Sequence, residues 1–240
     1  MSHTFDTLER APAYQKVYEA MQADILAGRL AEGSALPTES DLAAQFGVHR
    51  STVREGIRQL EQAGLVKRGA AKRMYVLRPQ AEETAEKARL GLMMHGVSFH
   101  EVWEALSAFQ PESIRLASAR LSKADLNTLR TAANSLAGET DTDRIVDIAG
   151  DFFQTIAASL DNKVMLVVLQ SLNLLVMSSL ARVIEQLPNA GRRIGEAQLT
   201  MIDACAAGDG DKAARWMRRH IDDLKRGFDV AEVDLSSQIS

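Results

Sequence analysis

The sequence predicts a mainly α protein: an N-terminal winged helix-turn-helix with a small β-hairpin, then an all-α bundle of six or seven helices. Three observations predict it. Between Leu36 and Val76 a short capped helix, a glycine turn, an amphipathic helix and a basic hairpin follow one another. Arg78-Pro79-Gln80 marks the Pro-containing gap between strand-like and helix-like sequence, which sets the domain boundary and gives units of 1–79 and 80–240. From Glu82 to about Ala231 apolar residues recur with helical period, with breaks only at short runs rich in Gly, Ser, Asn and Asp.

Met1 to Arg10 carry little pattern and are expected to be a loose arm. From Ala13 to about Ala27, Val17, Met21, Ile25 and Leu26 give a helical stripe that Gly28 stops. Thr38 can cap the next helix, with Asp41 three residues on as its capping-box partner. That helix ends near Phe46. Gly47 supplies the sharp turn and Val48 the small apolar contact across it. On the second helix of the pair, from Arg50, the residues Val53, Ile57 and Leu60 form the buried stripe, while Arg50, Arg54 and Arg58 lie four apart on another face. Ala63-Gly64 stops it. Leu65 to Lys67 and Met74 to Val76 read as two strands joined by a basic tip from Arg68 to Arg73.

Taken alone, three arginines four apart form a solvated face more often than a binding surface. Their context decides otherwise. The N-terminal end of the second helix in such a pair is the part that enters a major groove, and Ser51 and Thr52 flank the guanidinium groups there. Arg68, Lys72 and Arg73 on the hairpin tip suit a phosphate backbone or minor groove. The net charge of −4 hides an uneven distribution: Asp41 to Pro79 holds eight basic residues against three acidic ones. Positive charge is concentrated where duplex DNA would be gripped, and the acidic remainder disfavours a second nucleic-acid surface.

The stretch from about Tyr14 to Val76 resembles the DNA-binding domain of the GntR family of bacterial transcription regulators. The resemblance is carried by Ile25 to Leu30, Gly33, Leu36-Pro37, Leu42-Ala43, Gly47-Val48, Arg50, Val53-Arg54-Glu55, Leu60 and Gly64-Leu65-Val66. Departures fall at Ser40, His49 and Arg73, and the first two sit at DNA-contacting positions. The resemblance implies DNA contacts at Arg50, Ser51, Thr52 and Arg54, to which His49, Arg58, Lys72 and Arg73 are added as candidates. The helical part resembles the FadR subgroup with its ligand-sensing FCD bundle, through Leu116-Ala117, Phe153, Asp161-Asn162 and the closing segment Asp209 to His220.

Many bundles of that subgroup hold a divalent metal through an Asp, a His four residues on, and two further His. The corresponding positions here are Gly150, Gln154, Gln198 and His220, so only the last matches. Two amides and one imidazole lack the donors that zinc or nickel demands, and neither a metal nor another cofactor is expected. Gln198 lies in the stripe Ile194, Ala197, Met201 and Cys205, and His220 lies between Met217 and Leu224, so both are expected to point inward. Gln154 stands near Gly150 and Ala157-Ala158, where small side chains leave room. Gln170 and Asn173, three apart in the most apolar helix, Lys163 to Leu187, form a second inward polar pair. Two readings stay open for Gln154, Gln170, Asn173, Gln198 and His220. They hold a small polar or acidic effector, a small carboxylic acid being one candidate, or they bond one another and fix the packing. Met93, Met94, Met165 and Met177 read as core, with an apolar effector as the alternative they leave open.

No nucleophile and base recur at a usable spacing and no phosphate-cradling glycine loop exists, so an enzyme is disfavoured. Cys205, the single cysteine, reads as a small core residue. The apolar run Val164 to Ala181 is broken by Gln170, Asn173 and three serines, and no signal peptide is visible, so the expectation is a cytoplasmic protein without a membrane partner. The expected whole is a homodimeric transcriptional repressor that binds a pseudo-palindromic double-stranded operator and answers a small-molecule effector. The alternative is a DNA-binding dimer whose bundle is purely structural.

Overall fold

The computed structural model describes residues 11–69, 73–187, 189–232 and 236–239. The chain divides into two compact units, one running to Gln80 and the other starting at Ala81.

The first unit opens with α1 (Ala13–Leu26), whose Val17 and Met21 are buried. Leu26, expected on the same stripe, is instead 73% exposed. Val17, Met21 and Ile25 set the inner face at four-residue intervals, and one further residue turns Leu26 through about 100° toward water. α2 (Glu39–Phe46) carries the capping box: Asp41 N donates to Thr38 Oγ1 at 3.2 Å, and Thr38 N donates to Asp41 Oδ2 at 3.3 Å. Gly47 ends it at φ 64°, a left-handed conformation costly for any residue with a Cβ. α3 (Arg50–Gln62) then buries Val53, Gly56, Ile57 and Leu60. At Gly56 a Cβ would stand 2.9 Å from Val17 Cγ1, so glycine is what lets α1 lie so close to α3.

β1 (Val66–Arg68) and β2 (Met74–Val76) pair antiparallel, with Val66 opposite Val76 and Arg68 opposite Met74. Val66, Met74 and Val76 face the core while Lys67 and Arg68 face water. The segment before α2 joins the hairpin: Leu36 N donates to Met74 O at 2.8 Å and Val76 N to Ser34 O at 2.9 Å. The wing is therefore tied back to the helix pair through backbone bonds.

The second unit contains, among the described residues, seven helices: α4 (Ala81–Met94), α5 (Phe99–Ala117), α6 (Lys123–Ser135), α7 (Thr142–Ser159), α8 (Lys163–Gln186), α9 (Ala190–Ala206) and α10 (Gly210–Val230). Local side chains fix their starts. Ser98 with Glu101 and Ser122 with Asp125 form capping boxes, and Asp141, Asn162 and Asp209 each accept from a backbone N–H in the following turn. α8 packs against α4, α5 and α7, and its segments Lys163–Met177 and Ser179–Gln186 are inclined by 46°. The main core gathers Phe99, Leu106, Ile114, Phe152, Ile156, Leu169, Leu175, Met201, Met217 and Phe228. Phe99 and Phe228 stack at 3.6 Å and lock α5 to α10. Met94, read as core from the sequence, is 90% exposed, because it falls on the last residue of α4 just before the turn. No single helix among the described residues is long and apolar enough to cross a membrane.

Candidate functional site

On the first unit the end of α3 that follows the turn presents His49, Arg50, Ser51, Arg54 and Arg58 to solvent, with Thr52 half-buried. Burial of Val53, Ile57 and Leu60 leaves that face no alternative direction. Arg50 has no hydrogen bond or ion pair among the described residues. The other two arginines are held. Arg54 Nη2 and Nε donate to Glu39 Oε2 at 2.7 and 3.1 Å, and Arg58 Nη2 donates to Glu55 Oε1 at 2.6 Å. The Arg54 donors hold the Glu39 carboxyl below its usual range, against partial burial, and the charges of Arg54, Arg68 and Arg50 add to the effect.

That electrostatic reach places the first wing strand and the start of α3 beside the same carboxylate. Arg68, which the sequence put on the basic hairpin tip, thus joins the basic surface, exposed on the register opposite Met74. Arg73 is exposed just before β2. Lys72 lies outside the described residues.

In the second unit α5, α7, α8, α9 and α10 enclose a cavity of about 260 Å³. Leu106, Phe153, Val176, Met177, Leu180 and Val183 supply much of its apolar wall, and Gln110, Asn173 and His220 are polar members. The His220 ring stacks on Phe153 at 5.9 Å between centroids. Burial pushes its imidazole down to about 4, a shift that neighbouring Asp223 opposes, so the ring is neutral at pH 7. Arg193, Asp223 and Arg226 also line the cavity, the last two paired with each other.

Of the five residues considered together from the sequence, the cavity collects Asn173 and His220. Gln154, Gln170 and Gln198 lie outside its wall. Gln154 is half-buried on α7, where Ala149 and Phe153 take the cavity-facing positions. Gln170 Nε2 donates to Glu82 Oε1 of α4 at 3.4 Å, and Gln198 is buried on α9 with Nε2 unpartnered. These five residues do not bond one another. Asn173 instead accepts from Gln110 Nε2 of α5 at 2.9 Å. Gln110 was missed, although its place four residues after Leu106 and four before Ile114 puts it on the inner face of α5.

A metal does not suit this arrangement. Gly150, Gln154, Gln198 and His220 offer one imidazole and no carboxylate, and no cluster of three or more His, Cys, Asp or Glu of metal-binding geometry occurs among the described residues.

A winged helix-turn-helix with an exposed cationic reading helix, followed by an all-helical domain, defines the class: a DNA-binding transcription regulator. Comparison with known proteins gives the family. Residues 13–76 match the family described as bacterial regulatory proteins, gntR family, and residues 101–223 match the FCD domain. The chain belongs to the GntR family, and its pairing of a GntR with an FCD domain is consistent with the FadR subgroup.

It is similar to the mannosyl-D-glycerate transport/metabolism system repressor MngR of Escherichia coli, 47% identical over 49 residues, which cover 20% of this chain and 20% of that one. The chain thus spans about a fifth of the length of that relative. Over 229 residues, 93% of this chain and 95% of the other, it is 25% identical to the uncharacterized HTH-type transcriptional regulator YcbG of Bacillus subtilis. The solved structure of Streptococcus agalactiae GntR has the same fold, with a TM-score of 0.64 at 19% identity over 89% of this chain and 99% of that one.

Proposed function

We propose that the protein is a homodimeric transcriptional repressor whose grip on a pseudo-palindromic operator is changed by a small molecule bound in the cavity of the helical unit, without a metal. The observation that carries this reading is the cavity itself. Five helices converge on a largely apolar space with a few polar groups at fixed points, the usual form of a small-molecule site. Its volume lies just below the usual ligand-pocket range of about 300–1,000 Å³, which suits a compact metabolite.

DNA contacts are assigned to His49, Arg50, Ser51, Thr52, Arg54, Arg58, Lys72 and Arg73. Two copies of α3 about one helical turn of DNA apart would turn a weak half-site into a specific operator. An effector held between helices biases the bundle toward one arrangement, and so changes how two readers share one duplex. The effector reading rests on Asn173 and His220; Gln154, Gln170 and Gln198 are better placed to support packing around the cavity than to touch its contents.

The test has two stages. Genomic fragments retained by the purified full-length protein define the operator, and a metabolite library is then screened by thermal shift, since a ligand that binds only the folded state raises the melting temperature. A compound that raises Tm and releases the operator is the expected result. Compounds that raise Tm without altering operator binding would leave the bundle a structural dimerisation unit and overturn the effector reading.

A further inference from the structure

Residues 236–239 return to the bundle as a strap across the turn between α4 and α5. Ile239 N donates to Val97 O at 3.1 Å, and Gln238 bridges Ser98 in antiparallel sense. Ile239 is 6% exposed and joins the main core, whereas Ser236, Ser237 and Gln238 are exposed. The Gln238 amide lies where a side chain on Gly96 would begin, since a Cβ there would stand 2.5 Å from Gln238 Nε2. Gly96, at φ 70°, suits both the left-handed turn and the strap that crosses it.

The bonds of the turn explain what the strap holds. Gly96 N donates to Met93 O at 2.9 Å and Val97 N to Leu92 O at 3.4 Å, the paired pattern that closes the C-terminal end of a helix. The Val97 N–H is thus spent on α4, and its carbonyl is met by the strap. Within the bundle α4 packs chiefly on α8, and this turn is its far end. It is also the helix that the chain enters on leaving the first unit at Gln80. A hold on the turn is therefore a hold on the helix that follows the DNA reader.

Ordering several residues costs backbone entropy, which the burial of one aliphatic side chain and a backbone bond roughly offsets. A segment so close to balance docks and leaves without unfolding the bundle. We propose that residues 236–239 are a detachable latch on α4: docked, they fix the end of the helix and keep the two readers of a dimer coupled; released, they loosen α4 and weaken the grip on the operator. The link to DNA rests on the dimeric-regulator reading above; the latch itself rests on the contacts of the strap. Two readers tied firmly together gain from binding one duplex at once, and a loosened α4 lowers that gain.

Two full-length variants move the latch in opposite directions. Ile239→Asp places a charge where the core now takes an aliphatic group, and so releases the strap. Ser98→Cys/Gln238→Cys locks it when oxidised with diamide. Those two residues face each other with the Ile239–Val97 bond just outside them, the arrangement that brings Cα atoms to about 4.5 Å, within disulfide range. The reduced form of the same variant is its control, which cancels the loss of the Ser98 cap, and Cys205 is buried away from the oxidant. Hydrogen exchange at residues 93–98 is expected to quicken about ten-fold or more in Ile239→Asp, with α6 and α9 unchanged, and to slow in the locked form relative to its reduced form. Operator affinity, read by fluorescence anisotropy, should fall about five-fold or more in Ile239→Asp and be no weaker in the locked form than in the reduced one. Equal exchange at 93–98 in wild type and Ile239→Asp would overturn the latch. Exchange that responds while operator affinity stays constant would reduce the strap to packing and overturn its regulatory role. A wild type that retains no operator would instead sink the DNA-binding reading, and the exchange measurements would still decide whether the strap holds α4.

Discussion

Glu39 and Arg54 close a two-point clasp across the helix-turn-helix, the guanidinium on α3 donating through Nη2 and Nε to the carboxylate at the first position of α2. The same guanidinium is a proposed DNA contact, so protein and duplex compete for it. Both groups are well exposed, which makes the pair worth little to stability and leaves its effect on recognition as its main consequence.

Glu39→Gln is therefore expected to free Arg54 and to remove a negative charge that faces phosphates. Binding to random duplex should tighten several-fold while the ratio of operator to random affinity falls, read by fluorescence anisotropy at fixed salt. Arg54→Ala should weaken operator binding about ten- to a hundred-fold and relax specificity at one base position. A Glu39→Gln protein with unchanged discrimination would show that the clasp does not compete with DNA.

What could be read from the sequence was what is local. Helix starts at Phe99, Lys123, Thr142, Lys163 and Gly210 are set by a side chain one to four residues away, and such signals survive in one dimension. The arginine face of α3 followed from the burial of Val53, Ile57 and Leu60. The cavity was only partly legible. Gln110 and Asn173 are 63 residues apart, and nothing in the period of either helix says that they meet. Inward direction was readable for Gln198, yet which interior space it faces depends on how α9 crosses its neighbours. Leu26 and Met94 failed for simpler reasons: Leu26 stands one residue, about 100°, off the inner face set by Val17, Met21 and Ile25, and Met94 is the last residue of α4, just before the turn.

Protein purified without chelator is expected to contain less than one equivalent of any transition metal per chain by elemental analysis. The argument is the donor set, since two amides and a backbone-only glycine give a divalent ion neither charge nor soft ligands. One equivalent bound, and lost together with Tm on chelation, would show that ligands outside Gly150, Gln154, Gln198 and His220 complete a site.

Gly195 is where α9 touches α6. A Cβ there would stand 2.6 Å from the backbone oxygen of Ala133 and 3.1 Å from Leu136 Cβ, and backbone cannot rotate away. Gly195→Ala should destabilise the helical unit by about 3 kcal/mol, the upper part of the range for overpacking, and lower Tm by several degrees. Circular dichroism and calorimetry read the shift. An unchanged Tm would mean that the two helices separate at no cost.

Cys205 is 4% exposed on α9, and burial pushes its thiol up to about 11. The thiolate is the reactive form, so a native protein at pH 8 should react with a disulfide reagent about a hundred-fold or more slower than free cysteine. In denaturant the same residue should react at the ordinary rate. Rapid native labelling would place α9 in frequent local opening, since the folded arrangement offers the reagent no path.

His220 gives the helical unit a defined response to acid. Its imidazole is held near 4 when folded and returns to about 6.5 when unfolded, so between those values the unfolded chain binds a proton that the folded chain does not. Stability therefore rises with pH across that window, is complete above about pH 7, and is lost as pH falls toward 4. The cause is desolvation beside Phe153, with Asp223 of the same helix working against it. Between pH 7 and pH 5 the imidazole alone should cost on the order of 2 kcal/mol in urea unfolding. His220→Phe keeps a ring to stack on Phe153 and cannot titrate, so it should lack that loss. Carboxylates such as Glu101 and Asp125, held below their usual range by Ser98 and Ser122, also weaken the fold in acid, but they act equally in both proteins and cancel in the difference. Identical pH dependence in the two would mean that the ring is hydrated and titrates normally, and the lowered imidazole pKa would have to be withdrawn from the description of the cavity.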